Sequence, residues 1–319
     1  HRDLHSFPTR RSSDLAKPSG RRNPPARRTL VLVNGNARRG GEALQPAISR
    51  LRAGGLEVAI ERPSDRDAAQ ALIRARRDEI DRLVVCGGDG TIASSAKLAH
   101  EMQLPLGIIP MGTANDLART LGIPEDPVSA AAIIAAGHTR RIDLGTVNGH
   151  PFFNVASIGL SADLARNLCK DTKRRYGRFG YAVAAIRALI AARPFTARIL
   201  NRGEATVVKT LQIAVGNGRH YGGGNIVAER AEIDDGYLDL YSLEVHSVWK
   251  LALMMKSFRA GQHGSWKEVR TARCVEFDIT TRKPQPVNTD GELVTETPAH
   301  FVVHPKAITV FAPPHRPRV

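Results

Sequence analysis

The residues best suited to chemistry lie in the segment Gly87-Gly88-Asp89-Gly90-Thr91, which directly follows the apolar run 83–86. A turn of this kind between a strand and a helix brings free backbone N–H groups and a helix N-terminus to one point, where a phosphate can bind. Glycine lets the main chain approach a ligand closely because it carries no Cβ. The charge of Asp89 opposes phosphate, so this carboxylate is better suited to holding Mg²⁺ or orienting a hydroxyl.

Further motifs follow this segment in order along the chain. The turn 110–119 comes after a second apolar run, and Asp290-Gly291-Glu292 lies near the end of the sequence. Between them stand Gly216-Asn217-Gly218 and the acidic segment 234–239. Taken in this order, over about residues 29–313, the set resembles the bacterial diacylglycerol kinase and lipid kinase family.

The resemblance implies that three turns bind ATP. The first, residues 34–41, corresponds to the family's phosphate loop, and the others are the turns that follow the two apolar runs. The implied nucleotide-binding residues are Asn34, Gly40, Gly87, Gly88, Asp89, Gly90, Thr91, Thr113 and Asn115. Asn115 and Asp116 also predict an N-terminal helix cap. The chain departs from the family pattern at Gly35, Arg62 and Ala93, where the family has Pro, Thr and Asn.

Asp290 and Glu292 are the candidate catalytic pair, with Asp89 as a third carboxylate. Phosphorylation of an alcohol needs a carboxylate that accepts the hydroxyl proton. We favour Asp290 as this base, with Glu292 close behind. An Asp-Gly-Glu segment also occurs in β-turns that have no catalytic role.

The segment 232–237 resembles a family loop that holds a second, structural Mg²⁺, partly through main-chain carbonyls. By position, the ligands would be Glu232, Asp235 and Tyr237. Oxygen ligands in an acidic turn suit a divalent cation. A hairpin turn without metal is the alternative interpretation.

The pattern of elements changes near residue 140. Before it, strands alternate with helices, which predicts a doubly wound parallel sheet that binds ligands at the carboxyl ends of its strands. After it, short runs between Gly, Asn and Pro predict an antiparallel sandwich or barrel, interrupted by helices at about 161–192 and 246–260. Among these runs we expect one strand over 152–156, one over 274–280, and separate strands at 300–304 and 307–311.

The expected fold is therefore α/β followed by β. The nucleotide-binding domain spans 29–140, and a β-sandwich domain spans 141–319. The resemblance implies that the first domain is like those of NAD kinases and phosphofructokinases. By the resemblance, the last strand returns to the first domain. Residues 1–15 resemble a translated sequencing adapter, and 1–28 as a whole are expected to be an artefactual or disordered basic leader.

Composition limits the partners. The chain is 42% hydrophobic and 24% charged, and its three cysteines lack metal-ligand spacing, which favours a reducing, cytosolic compartment. The net charge is +15, of which the first 28 residues contribute +6. With only 5% aromatic residues and no zinc-finger or RNA-binding signature, a membrane surface is a better partner for this charge than nucleic acid.

A segment rich in Lys, Arg and aromatic residues, 170–181, runs into an apolar helix and suits the interface of an anionic bilayer. A basic loop before a core helix is the alternative. Phe258, His263 and Trp266 give a weaker signal for a second rim.

These observations favour a cytoplasmic lipid kinase, peripheral to the inner face of the membrane, that uses ATP and Mg²⁺. An NAD kinase-like enzyme and a non-catalytic lipid- or nucleotide-binding relative are the alternatives. Homologous domains often form dimers, so a second copy of this chain is one candidate partner. The motifs do not identify the lipid.

Overall fold

The computed structural model describes residues 27–34, 40–160, 193–221, 225–226, 231–245 and 266–314. Its N-terminal part alternates strands and helices. The elements are β1 (Arg27–Val33), α1 (Gly40–Ala53), β2 (Leu56–Glu61), α2 (Arg66–Ala75), a 3₁₀ turn (Arg77–Glu79), β3 (Arg82–Gly87), α3 (Asp89–Glu101), β4 (Leu106–Pro110), α4 (Asp116–Leu121) and α5 (Pro127–Ala136).

The rest of the described chain consists mainly of strands. They are β5 (Thr139–Val147), β6 (His150–Phe152), β7 (Val155–Gly159), β8 (Phe195–Asn201), β9 (Glu204–Thr210), β10 (Gln212–Gly216), β11 (His220–Tyr221), β12 (Asn225–Ile226), β13 (Leu238–Leu243), β14 (Val269–Cys274), β15 (Glu276–Thr281), β16 (Pro286–Thr289), β17 (Glu292–Glu296) and β18 (Ala299–Phe311).

The strands form two large sheets. The first has the order β2-β1-β3-β4-β18-β15-β8-β9, with β5 and β6 joined to it through β18. Strands β1 to β4 pair in parallel, and every residue of β3 and β4 is buried, as expected for strands covered on both faces. The second sheet, β14-β13-β10-β7-β16-β17, is antiparallel. The predicted fold class, a parallel α/β part and an antiparallel sandwich part, is confirmed.

Strand β18 joins the two parts. It lies parallel to β4 and antiparallel to β5 and β15, so one continuous strand belongs both to the parallel sheet and to the sandwich. The predicted pair of strands at 300–304 and 307–311 is therefore a single strand. A register shift between His304 and Ile308 absorbs Pro305, whose missing N–H would otherwise interrupt the pairing.

Two predicted strands are instead divided. The run 152–156 breaks at Phe153-Asn154, because the backbone there bends and directs its N–H groups toward Asp290. The run 274–280 breaks at Val275, because β14 pairs with β13 in the second sheet whereas β15 pairs with β18 in the first.

The first strand begins earlier than expected. Arg27 and Arg28 belong to β1, and the backbone N–H of Arg28 donates to Asp81 (2.8 Å). The predicted helices at 161–192 and 246–260, the basic segment 170–181, Phe258 and His263 lie outside the described residues. Among the helices that the structure does describe, none combines the length and the apolar character needed to span a bilayer.

Candidate active site

Two glycine-rich turns pack against each other at the carboxyl ends of β3 and β4. A Cβ built on Gly112 would lie 2.6 Å from Cα of Gly88, and one built on Gly88 would lie 3.2 Å from Cα of Gly112. These glycines are therefore needed for contact between the turns themselves. Gly90 is different, because a Cβ there would meet no atom within 4 Å. The open space expected for a phosphate lies beside Gly90, at the first turn of α3.

The end of β1 joins this arrangement through Asn34. Its Nδ2 donates to Oγ1 of Thr91 (2.8 Å), and its backbone N–H donates to the carbonyl of Cys86 (3.1 Å). Gly40 is the first residue of α1, and Thr113 is exposed in the loop between β4 and α4. The structure thus brings Asn34, where the first predicted turn begins, to the same edge of the parallel sheet as the other two turns, while residues 35–39 of that first turn lie outside the described residues.

The sequence pattern predicted that Asn115 caps α4, but its side chain makes no capping hydrogen bond to that helix. Its backbone is left-handed (φ 52°), and its Oδ1 accepts from the N–H of Gly112 (2.9 Å), closing the turn 112–115. Its own N–H donates to Oδ2 of Asp89 (2.8 Å). Asn115 therefore links the third turn to the carboxylate of the second.

Asp89, the first residue of α3, is largely removed from solvent and lies near a second carboxylate, that of Asp116. Burial and the negative charge of Asp116 raise the pKa of Asp89, while backbone N–H groups of residues 115–117 oppose that rise. Its Oδ1 is buried and has no hydrogen-bond partner within the described part of the chain. An unpartnered buried oxygen beside a second carboxylate is suited to binding Mg²⁺.

Asp290 comes from the β16–β17 turn and is held by the bend between β6 and β7. Its Oδ2 accepts from the N–H of Phe153 (2.7 Å), and its Oδ1 accepts from the N–H groups of Asn154 (3.0 Å) and Val155 (3.2 Å). Burial of the carboxyl group raises the pKa of Asp290 to about 6, and the negative charge of Asp89 adds to this shift. The two predicted carboxylates, one from each part of the chain, are thus close enough to interact electrostatically.

Glu292 has a different environment from Asp290. It is the first residue of β17, and its Oε2 accepts from Nη1 of Arg66 (2.8 Å), with a second contact between Oε1 and Nη2. Each of the two side chains is 46% exposed. Because Arg66 is the first residue of α2, this bidentate pair connects the parallel part to the sandwich part.

The predicted metal-binding turn is occupied by its own hydrogen bonds. Oδ2 of Asp235 accepts from the N–H of Glu232 (3.2 Å), and Oδ1 accepts from the N–H of Tyr237 (3.0 Å). The guanidinium of Arg273 also contacts Oδ2 of Asp235 and lies 4.7 Å from the centre of the Tyr237 ring. The described residues contain no group of three or more His, Cys, Asp or Glu side chains arranged to hold a metal ion.

The sequence pattern gave Arg66 and Asn154 no role, and it gave Asn217 none beyond its place in the Gly216-Asn217-Gly218 motif. Nδ2 of Asn217 donates to the carbonyls of Asp143 (3.1 Å) and Phe153 (3.0 Å), and its N–H donates to the carbonyl of Asn154 (2.9 Å). Asn217 therefore supports the bend that holds Asp290. In the sequence, the pattern that could have indicated this role of Asn217 is an Asn between two glycines directly after the apolar run 211–215.

Comparisons with known proteins show the family of this chain. Residues 28–147 match the family described as "Diacylglycerol kinase catalytic domain", and residues 154–312 match "YegS C-terminal NAD kinase beta sandwich-like domain". Over 282 residues the chain is 33% identical to a diacylglycerol kinase of Mycobacterium tuberculosis, covering 86% of this chain and 91% of that protein. The chain belongs to the diacylglycerol kinase family of lipid kinases.

Other family members give the same result. A "Probable lipid kinase YegS-like" of Pseudomonas aeruginosa is 30% identical over 291 residues, which is 90% of this chain and 95% of that protein. A crystal structure of a diacylglycerol kinase from Bacillus anthracis superposes with a TM-score of 0.77 at 25% identity, covering 92% of this chain and 99% of that one. The predicted family is confirmed, and the resemblance extends over both parts of the fold.

Proposed function

We propose that this chain is an ATP-dependent kinase that transfers the γ-phosphoryl group to the hydroxyl of a diacylglycerol-like lipid. One observation carries the proposal: within the described part of the chain, Oδ1 of Asp89 is buried without a hydrogen-bond partner, at the first turn of α3 and next to the open space at Gly90. Phosphoryl transfer depends mainly on positioning and charge neutralisation, and this site offers backbone N–H groups for phosphate with carboxylates for metal and proton.

The nucleotide side of the site consists of the three turns. Free N–H groups at the start of α3, beside Gly90, are suited to hydrogen bonds with phosphate oxygens, aided by the helix dipole. Asn34, Thr91 and Thr113 supply polar side chains around the same edge. Asp89 would hold Mg²⁺ through its unpartnered Oδ1. When bound, the ion would neutralise part of the phosphate charge.

The acceptor side of the site contains Asp290, which we assign as the base. An ionised carboxylate has about four acceptor positions, and three N–H bonds occupy three of them, so about one remains for a substrate hydroxyl. A pKa of about 6 leaves this carboxylate mostly ionised at neutral pH and more basic than an ordinary aspartate. Glu292, engaged by Arg66, is better placed to hold the two parts of the fold together.

A lipid acceptor is supported by the relatives, whose names are diacylglycerol kinase and lipid kinase. The net charge of +9 that remains outside the first 28 residues and the basic, aromatic segment 170–181 support action at an anionic membrane surface. The alternatives expected from the sequence, an NAD kinase-like enzyme and a non-catalytic relative, gain no support from these relatives.

The test is transfer of radiolabel from γ-labelled ATP to lipid in mixed micelles containing diacylglycerol, with NAD as a separate acceptor. Wild-type protein should yield labelled phosphatidic acid, and Asp89→Asn and Asp290→Asn should lose at least about 99% of this activity. Asp278→Asn is the matched control, because this half-exposed aspartate pairs with His300 (2.7 Å) and lies outside the site. Labelling of NAD instead of lipid, or no product despite ATP binding, would contradict the proposal.

A further inference from the structure

The acidic turn, defined as residues 232–237, carries three acidic side chains, and basic side chains from three strands pair with its two aspartates. Asp234 accepts from Nε of Arg140 in β5 (2.7 Å) and lies 3.5 Å from Nζ of Lys306 in β18. Asp235 is contacted by Arg273 in β14. Each aspartate of the turn therefore already has a cationic partner within the protein.

Arg273 is held in place by the sheet. Strand β14 pairs with β13, which places Arg273 directly opposite Asp239, and Nε of Arg273 lies 3.9 Å from Oδ1 of Asp239. The same guanidinium contacts Asp235 and lies over the ring of Tyr237. One planar cation thus touches two carboxylates and an aromatic face, an arrangement that suits arginine better than lysine.

The residues at the turn do not fit a divalent cation in addition to this arginine. Asp235, one of the two acidic residues among the three expected ligands, already accepts from two backbone N–H groups and from Arg273. A divalent ion on the same carboxylate would lie beside the guanidinium and be repelled by it. Hard cations also need about six or more oxygen ligands, and with the Asp235 carboxylate engaged by Arg273 the turn would have to supply them mainly from neutral main-chain carbonyls.

We propose that Arg273 supplies the positive charge at the acidic turn, and that this chain holds the turn without the structural Mg²⁺ that the family resemblance implies. The turn is then fixed from the opposite side by Asp143, whose buried carboxylate accepts from the N–H groups of Gly236 (2.6 Å) and Lys306 (2.7 Å). The inference concerns the architecture of the turn and does not depend on the proposed reaction.

The test is thermal unfolding of the full chain without nucleotide, in EDTA and in millimolar Mg²⁺ at equal ionic strength. The wild-type Tm should be the same in EDTA and in Mg²⁺. A rise in Tm caused by Mg²⁺ binding at Asp89 is recognised because it is absent from Asp89→Asn. Arg273→Met should unfold about 2–4 °C lower in EDTA. The matched control is Arg270→Met on the same strand, whose ion pair in the described part of the chain is with Glu244. Lower stability of Arg273→Met than of this control, with or without recovery in Mg²⁺, supports the proposal.

The proposal is overturned if wild-type protein gains stability from Mg²⁺ and Asp235→Asn, but not Asp89→Asn, abolishes that gain. It is also overturned if Arg273→Met is as stable as Arg270→Met. If Arg273→Met does not fold, Mn²⁺ titration followed by electron paramagnetic resonance remains decisive. Wild type and Asp235→Asn should then bind the same number of Mn²⁺ ions, and one fewer ion in Asp235→Asn would overturn the proposal.

Discussion

Two glycines in the nucleotide-binding turns are predicted to respond oppositely to the same substitution. A Cβ on Gly112 would lie 2.6 Å from Cα of Gly88 and 2.8 Å from Oδ1 of Asn115, so the two turns must move apart in Gly112→Ala. Overpacking of this kind destabilises by about 1–3 kcal/mol. With about 2–4 °C lost per kcal/mol in a chain of this size, the Tm of Gly112→Ala should fall by several degrees.

Gly90→Ala should instead leave stability unchanged or slightly raise it. A Cβ there meets nothing within 4 Å, and Gly90 lies within α3, where alanine is favoured over glycine by about 0.4–1 kcal/mol. If ATP phosphate lies against this residue, the new methyl group occupies the space of the ligand. A clash of about 1–3 kcal/mol corresponds to an increase in the KM for ATP of roughly 5- to 150-fold.

The assay combines thermal unfolding with ATP titration of the initial rate at saturating lipid. Gly90→Ala with a normal Tm and a raised KM for ATP separates ligand contact from fold damage. An unchanged KM in this variant would refute the placement of phosphate at the first turn of α3. An unchanged Tm in Gly112→Ala would refute the argument that the glycines are needed for contact between the turns.

Three other predictions concern the acceptor side of the site. Because only the ionised form of Asp290 accepts a proton, kcat should fall tenfold for each unit of pH below about pH 6. A kcat that does not change between pH 5 and pH 7 would exclude Asp290 as the base. Arg66→Ala and Glu292→Gln should each lower activity, and the double variant should be no less active than either single variant. Because both side chains are about half exposed, their coupling in unfolding free energy should be about 0.2–1 kcal/mol. Strictly additive losses would show that the two residues do not act as a pair. Asn217→Ala removes the Nδ2 donor to two buried carbonyls, so the unfolding free energy should fall by about 1–3 kcal/mol. We also expect kcat to change by a larger factor than the KM for ATP. Equal effects on both constants would contradict the inference that Asn217 supports Asp290.

The sequence predicts those parts of the fold that depend on local pattern. The apolar runs before the Gly87 and Pro110 turns become β3 and β4, buried on both faces, and the glycines after them mark the ligand edge of the sheet. The order of the motifs also indicates the family. These features are predictable because each depends on residues within one strand and the turn that follows it.

Features that depend on distant partners could not be predicted in this way. The break at Phe153-Asn154 exists because of a carboxylate 137 residues away, and the partner of Glu292 lies 226 residues before it. The register that places Arg273 opposite Asp239 is likewise a property of the sheet and not of the local sequence. The requirement for Gly112 arises from another turn, so sequence reasoning assigned the glycines to phosphate alone.

The turn that carries Asp290 explains how a hairpin and a catalytic base can share the same residues. Asp290 and Gly291 connect β16 to β17, with Thr289 paired to Glu292, and both have positive φ (47° and 99°). A two-residue hairpin of this kind requires left-handed backbone at both positions, for which Asp-Gly and Asn-Gly are preferred. The plain turn and the catalytic segment, which were alternatives at the level of sequence, are therefore compatible in one structure.

This turn also determines which substitution tests the base. Asp290→Ala removes the side chain that accepts three N–H bonds and places alanine in a left-handed conformation, so low activity in this variant would reflect damage to the turn. Asp290→Asn keeps the preferred turn residue, and its Oδ1 can still accept from Asn154 and Val155, while the bond from Phe153 is lost. We expect Asp290→Asn to be more stable than Asp290→Ala yet at least about 100-fold lower in kcat than wild type, because the amide cannot accept a proton. Activity that follows stability across the two variants would show instead that Asp290 acts only through the turn.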